Sequence, residues 1–247
     1  MILQSFIKGG TERIAYGYYE YPGGADIIFD FGNPTCTSEF VSNNRVYNVG
    51  SANITGSLIP YNNPGPIYPT LNTGAGASGG NMAVRYVTGI TGGNHLEWSW
   101  PSTENQTSVV IYAPNGSAVS GEDDYSPRNT GADSIQFETQ RTIVYTRIDG
   151  NIIFTSNIDT SVGNGRNSWN QVAVTADGST GHFYYQNLVQ SGESNTTNIP
   201  RTTTANQTNQ LGWEANLKYI AFLQYPRILN PVEIRQIYRV FSQRFFL

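Results

Sequence analysis

Residues 167–192 read NSWNQVAVTADGSTGHFYYQNLVQSG, and their reading decides the fold. After Trp169, Val172 and Val174 alternate with polar or small neighbours; an Asp177-Gly178 pair follows, and an aromatic stretch at 182–186 runs back. Apolar alternation at period 2, bounded by Asp, Gly, Ser and Thr, is the pattern of a β-hairpin. The Asp-Gly pair tolerates the positive φ values of a tight reversal. A lone hairpin is marginal in water and needs a second layer over its apolar face.

Composition agrees with a chain made of strands and turns. Its 247 residues allow one large β domain or two small ones, and all-β sandwiches of this size are ordinary single domains. Charged residues are 13% of the chain, against about 25% in ordinary soluble domains, and 26 Gly and 16 Tyr stand out. A net charge of −4 gives no basic footprint, so neither nucleic acid nor an anionic membrane surface is an expected partner. No apolar run approaches the roughly 18 residues of a membrane helix, and the opening MILQSFIKGG carries no secretory core. Cys36 is the single cysteine, which excludes an intrachain disulfide and reads as a small buried apolar side chain.

Strand patterns recur outward from the hairpin. Residues 25–32 (ADIIFDFG) place Ile27, Phe29 and Phe31 on one face and Asp26, Ile28 and Asp30 on the other. Short β-branched or aromatic runs follow at 81–90, 95–100, 107–112, 134–138, 142–148, 151–156 and 211–227, separated by turn residues. This spacing marks a sandwich or barrel. Residues 33–59 read as polar, turn-rich crossing loops, and the proline-rich 60–80 as a surface excursion that cannot be a central strand. Residues 191–209 read as a loop or edge segment. Residues 1–24 stand apart as an arm or leading strands.

One helix is expected, at about 230–244. Asn230 suits its cap, Pro231 its first position, and Glu233 the reciprocal capping-box acid. Ile234, Ile237, Tyr238 and Phe241 form its apolar stripe, and Phe245 and Phe246 are expected to pack.

Three stretches, in order, carry a resemblance: Ile27 to Asn33 (IIFDFGN), the Trp169-to-Asn187 hairpin, and the strand at 217–228 running into Leu229-Asn230-Pro231-Val232-Glu233-Ile234. Together they resemble the laminin-G-like branch of the concanavalin-A-like jelly rolls over residues 25–247, especially the laminin-G-like domains of bacteriophage virion proteins. Leu188 departs from the family, which commonly has Gly after that Asn. The resemblance implies an all-β, two-sheet antiparallel jelly-roll sandwich with a short C-terminal helix. It further implies a virion protein, assembled in a host cytoplasm, for capsid decoration or tail association.

Candidate chemistry is sparse. Glycosidases of this fold class need two close carboxylates, but Glu122 with Asp124 sits in a turn-like GEDDYSPRN, and Asp26 with Asp30 is spread over four residues. Glu122, Asp123 and Asp124 offer oxygen ligands for Ca²⁺ or form a solvated acidic loop. No other cofactor is indicated. His95 and His182 lie in separate strand patterns and read as packing or edge hydrogen-bonding residues. Trp98 and Trp100 alternate with Glu97 and Ser99, so they face one way, either as a platform for sugar rings or as core. Tyr16, Tyr18, Tyr19 and Tyr21 would give an arm large contact area for docking on a partner. The chain is therefore read as non-enzymatic, binding other virion proteins and forming a homo-oligomer. The alternative is a carbohydrate-binding module or host-surface adhesin, with a glycoside hydrolase as a weaker one.

Overall fold

A computed structural model of the chain describes residues 6–8, 11–13, 21–62, 66–75, 83–88, 94–101, 103, 105–114, 124–129, 134–138, 143–148, 151–157, 170–177, 181–186, 189–190, 207–212 and 217–245. In chain order come β1 (Phe6–Lys8), β2 (Thr11–Arg13), β3 (Ile27–Asp30), α1 (Phe40–Asn43), β4 (Arg45–Tyr47), β5 (Thr55–Ile59), β6 (Tyr61–Asn62) and β7 (Pro66–Ile67). There follow β8 (Thr70–Ala75), β9 (Ala83–Thr88), β10 (His95–Trp100), β11 (Gln106–Pro114), β12 (Asp124–Asn129), β13 (Ser134–Glu138), β14 (Ile143–Ile148) and β15 (Asn151–Asn157). The last elements are β16 (Asn170–Asp177), β17 (Gly181–Gln186), β18 (Val189–Gln190), β19 (Gln207–Leu211), β20 (Leu217–Tyr225) and α2 (Pro231–Phe245).

Two antiparallel sheets form an all-β sandwich. Sheet I runs β15-β14-β13-β12-β19-β10-β5-β4, and sheet II runs β18-β17-β16-β11-β20-β9-β8, with β3 also paired to β20. The hairpin expected at 167–192 is β16 and β17, in register from Val172 opposite Gln186 to Asp177 opposite Gly181. Trp169, Phe246 and the side chain of Phe245 lie outside the described residues. β1 and β2 pair with each other in a small sheet of their own.

The core between the sheets contains Ile27, Phe29 and Phe31 of the β3 region, Val110 and Tyr112, Val172 and Val174, and Leu96 and Trp98 from the opposite sheet. Cys36 is also there, fully buried, and burial pushes its thiol well above the ordinary range. A second apolar layer covers the other face of sheet II: Ile28, Val109, Ile111, Ala173 and Leu223 meet Ile234, Ile237 and Phe241 of α2. Strand β20 is thus buried on both faces. Its register slips opposite Ile111 and Tyr112, so that Ile220 and Ala221 both join the helix-side layer while Tyr219 and Phe222 face the inter-sheet core. An extra residue of this kind shifts the parity of a strand.

Polar groups fix both ends of this arrangement. The Asn48 amide accepts from the backbone of Ile28 (2.7 Å) and Gly50 (3.0 Å) and donates to Asp26 O (2.7 Å) and Ala52 O (2.6 Å), joining β3 to the following loop. Gly50 is required there, since a Cβ would lie 2.5 Å from Asp26 O. At the helix, Asn230 Oδ1 accepts from Val232 and Glu233, and the Glu233 carboxylate accepts from the Asn230 amide, the expected capping box. Arg227 grips both Glu233 oxygens, at 3.0 and 2.7 Å, and Thr107 bridges Arg227 O and Leu229 N to β11.

Several expected loops contain strands. Residues 33–59 hold α1, β4 and β5, the apolar pairs Val46-Tyr47 and Leu58-Ile59 falling in the two strands. The proline-rich stretch yields β8 after its last proline, at the edge of sheet II. Residues 124–129, expected as a turn, are β12, and residues 207–209, expected as a loop or edge segment, belong to β19 (Gln207–Leu211), and both strands lie inside sheet I. Ladder hydrogen bonds made across the chain organise these polar segments, which carry little apolar alternation of their own.

Asn230→Ala should cost about 1 kcal/mol of stability by urea denaturation, the usual value of such a cap. Hydrogen bonds from Arg227 hold the Glu233 carboxyl below its ordinary value, with burial opposing. A depressed folded value means that its stabilisation is present at neutral pH and fades as pH falls through that lowered value. The urea midpoint of Glu233→Gln should therefore depend less on pH across the carboxylate range than that of the native chain.

Candidate functional site

Side chains alternate across a strand, so residues paired directly across a ladder share a face. On β10, Leu96 and Trp98 belong to the inter-sheet core and Trp100 packs against it, while His95, Glu97 and Ser99 occupy the outer face of sheet I. Glu97 pairs with Ser57, which pairs in turn with Arg45, and both are exposed. In the other direction Glu97 pairs with Gln210, and Gln210 with Arg128. The row continues from Arg128 to Ser134 and on to Arg147. A line of polar residues thus crosses seven strands of one face.

Part of this row is internally bonded. The Glu97 carboxylate accepts from the Gln210 amide at 3.3 Å, and His95 Nε2 lies 3.5 Å from the same oxygen. His95 is 2% exposed and the Glu97 side chain 37%. At the far end, Glu39 next to β4 has its carboxyl held low by hydrogen bonds from Asn43 and Tyr47.

A second row runs beside it on β12, β13 and β14, with Tyr125 opposite Gln136, Gln136 opposite Tyr145, and Tyr145 opposite Thr155. Tyr125 and Arg128 are three residues apart, a separation that would put them on opposite faces of a regular strand. The register shifts between them, three steps on β12 matching two on β13 from Gln136 to Ser134, so both residues occupy the same face. Pro127 lies within this irregularity, where a residue without an amide donor is tolerated.

The candidates from sequence fare differently. Trp98 is no sugar platform: it is 3% exposed and packs 5.1 Å from the rings of both Phe29 and Phe222. Trp100 is half-buried on the same side, packed against the core. The parity of the pair is as expected, and it selects the inward face because Leu96 between the sheets shares it. Glu122 and Asp123 lie outside the described residues, and Asp124 opens β12 opposite Phe137. Among the described residues no group of three or more His, Cys, Asp or Glu converges as a metal site. Asp26 accepts from Ser51 Oγ, and Asp30 from Tyr21 Oη and Gly32 N, so both carboxylates hold local structure. Tyr16, Tyr18 and Tyr19 lie outside the described residues, whereas Tyr21 packs on Phe241, ring centroids 5.7 Å apart, and donates to Asp30 at 3.1 Å.

A small pocket lined by Phe31, Pro69, His95, Leu211 and Tyr219 has a volume of about 10 Å³. That is room for one water and too little for a sugar ring.

No protein-family model matches the chain, and no curated protein matches it. Solved structures do. The botulinum neurotoxin serotype D binding domain superposes with a TM-score of 0.59 at 10% identity, covering 87% of this chain and 51% of that one. The binding domain of Paraclostridial Mosquitocidal Protein 1 gives 0.60 at 12% identity, over 88% of this chain and 52% of that one. Domain 4 of AbnA, a GH43 extracellular arabinanase from Geobacillus stearothermophilus in complex with arabinotriose, gives 0.55 at 12% identity, over 87% and 98%. The fold is a β-sandwich. The chain spans about half the length of the toxin binding domains it matches, and at these identities the likeness concerns fold alone.

Trp98→Ala should lower stability by about 3–5 kcal/mol in urea, the cost of deleting a buried Trp. A change below 1 kcal/mol would contradict its place in the core.

Proposed function

We propose that this chain is a non-enzymatic recognition domain that binds glycans on a cell surface through the outer face of sheet I. The observation that carries this reading is the composition of that face on β12 to β14. Tyr125, Gln136 and Tyr145 stand in one row and Arg128, Ser134 and Arg147 in the next. Tyr rings stack on the apolar C–H faces of sugars, and planar amide and guanidinium groups match their hydroxyls. Domain 4 of AbnA, a sandwich described with a bound trisaccharide, supports the reading by analogy of fold.

A second reading concerns where the domain works. The resemblance of residues 25–247 to laminin-G-like domains of phage virion proteins supports a domain carried on a particle, where symmetric copies would multiply weak glycan contacts. Light scattering on the purified chain tests the homo-oligomer that this reading expects; a monomer across the accessible concentration range would count against it.

The glycan reading is tested on a glycan array with the native chain, Tyr125→Ala and Tyr145→Ala. Each variant should retain its unfolding midpoint and lose at least tenfold in apparent affinity. Binding unaffected by both changes would overturn the site. Incubation with a panel of β-glucans should release no reducing ends, and release above a boiled control would overturn the non-enzymatic assignment.

A further inference from the structure

We propose that the glycan is a neutral, hydroxyl-rich sugar and that Glu97 is the residue that selects it. The inference rests on the glycan reading above and names its ligand class from the β4, β5 and β10 part of the same face. Glu97 is held by one oxygen only. Its Oε2 accepts from the Gln210 amide at 3.3 Å and lies 3.5 Å from His95 Nε2. Both holders are buried, Gln210 at 7% exposure and His95 at 2%, so the grip comes from the sheet itself. The Glu97 side chain is nevertheless 37% exposed, and among the described residues its Oε1 accepts no hydrogen bond. A carboxylate fixed through one oxygen and accessible at the other is a prepared acceptor, and its complement is a donor.

The surroundings of Glu97 point to hydroxyl donors. Ser57 stands directly opposite it on β5, and Ser99 follows two residues along β10 on the same face; both are exposed. Thr55, two residues before Ser57, is exposed as well, whereas Gly56 and Leu58 turn inward. Hydroxyls donate and accept, as those of a sugar do. The core of a protein-protein interface is depleted in Ser and Glu, so this patch suits a hydrated polar ligand better than a protein surface. Charge favours a neutral one. Arg45 lies across Ser57, two strand spacings or about 10 Å from Glu97, and beyond it Glu39 adds a second carboxylate, bonded to Asn43 and Tyr47. An acidic group set beside Glu97 would meet a like charge with Arg45 too far away to offset it.

The test uses an array of neutral oligosaccharides, each paired with the counterpart in which a primary alcohol is oxidised to a carboxylate, probed with the full chain. Neutral members should bind more tightly than their acidic partners, by roughly threefold or more, and the gap should narrow at high salt, as it does for exposed charges. Glu97→Gln should weaken the neutral members about tenfold, the loss of a charge-assisted hydrogen bond, without weakening the acidic ones. A purely structural role for Glu97 would weaken both classes alike. Ser57→Ala, at an exposed position, should weaken the neutral members by roughly threefold. Unfolding midpoints equal to that of the native chain assign these losses to binding. Acidic members binding as tightly as neutral ones, or neutral binding untouched by both changes, would overturn this inference and leave the glycan reading standing. Binding to no member of either class would overturn both proposals.

Discussion

Strand β20 is the element on which the rest depends, because it is buried on both faces. Its sequence LKYIAFLQY gives Tyr219 and Phe222 to the core between the sheets and Ile220, Ala221 and Leu223 to the layer under the helix. Each fully buried side chain of this size is stabilised by about 1.5–3 kcal/mol, provided that both faces are covered. Sheet I covers one and α2 the other. The helix must therefore begin where β20 ends, which accounts for the density of polar locks at residues 227–233 and for the Thr107 bridge to the neighbouring strand. On its other edge β20 is shared: its early residues pair with β9 and its later ones with β3. The first core strand and the last are thus hydrogen-bonded neighbours.

The parts of this fold legible in the sequence are those set by local physics. The 167–192 hairpin announces itself by alternation and an Asp-Gly turn, and α2 by a cap, a first-turn proline and a 3.6-residue stripe. The three stretches that carried the family resemblance prove to be parts of one sheet and its helix: β3, β20 with α2, and the β16–β17 hairpin. What was not legible depends on distant partners. Strand β19, QTNQL, contains a single aliphatic residue and is held by pairing with β10 and β12. The alternation of Trp98 and Trp100 gave their common face, but whether that face looks inward is decided by sheet II, which no local window contains.

The candidate site was hidden for a related reason. The pattern at 143–148 does separate Tyr145 and Arg147 from Val144 and Thr146, and residues 134–138 separate Ser134 and Gln136 from Ile135 and Phe137. A polar face could have been read from these two strands alone. Its third contributor is β12, where DYSPRN carries a proline and a register shift that break the period-2 count. Irregularities of this sort defeat pattern reading at the positions where a face is assembled from residues at odd separation.

The helix side of the sandwich has a mechanical meaning. Tyr21 rests on Phe241, so residue 21 and α2 lie together over sheet II, while the polar rows lie on the far surface of sheet I. A force applied between those two surfaces would act across the thickness of the domain. Such a load is shared by many interdigitated core contacts at once and does not peel one edge strand from its neighbour. The two apolar layers on either side of sheet II lie between those surfaces.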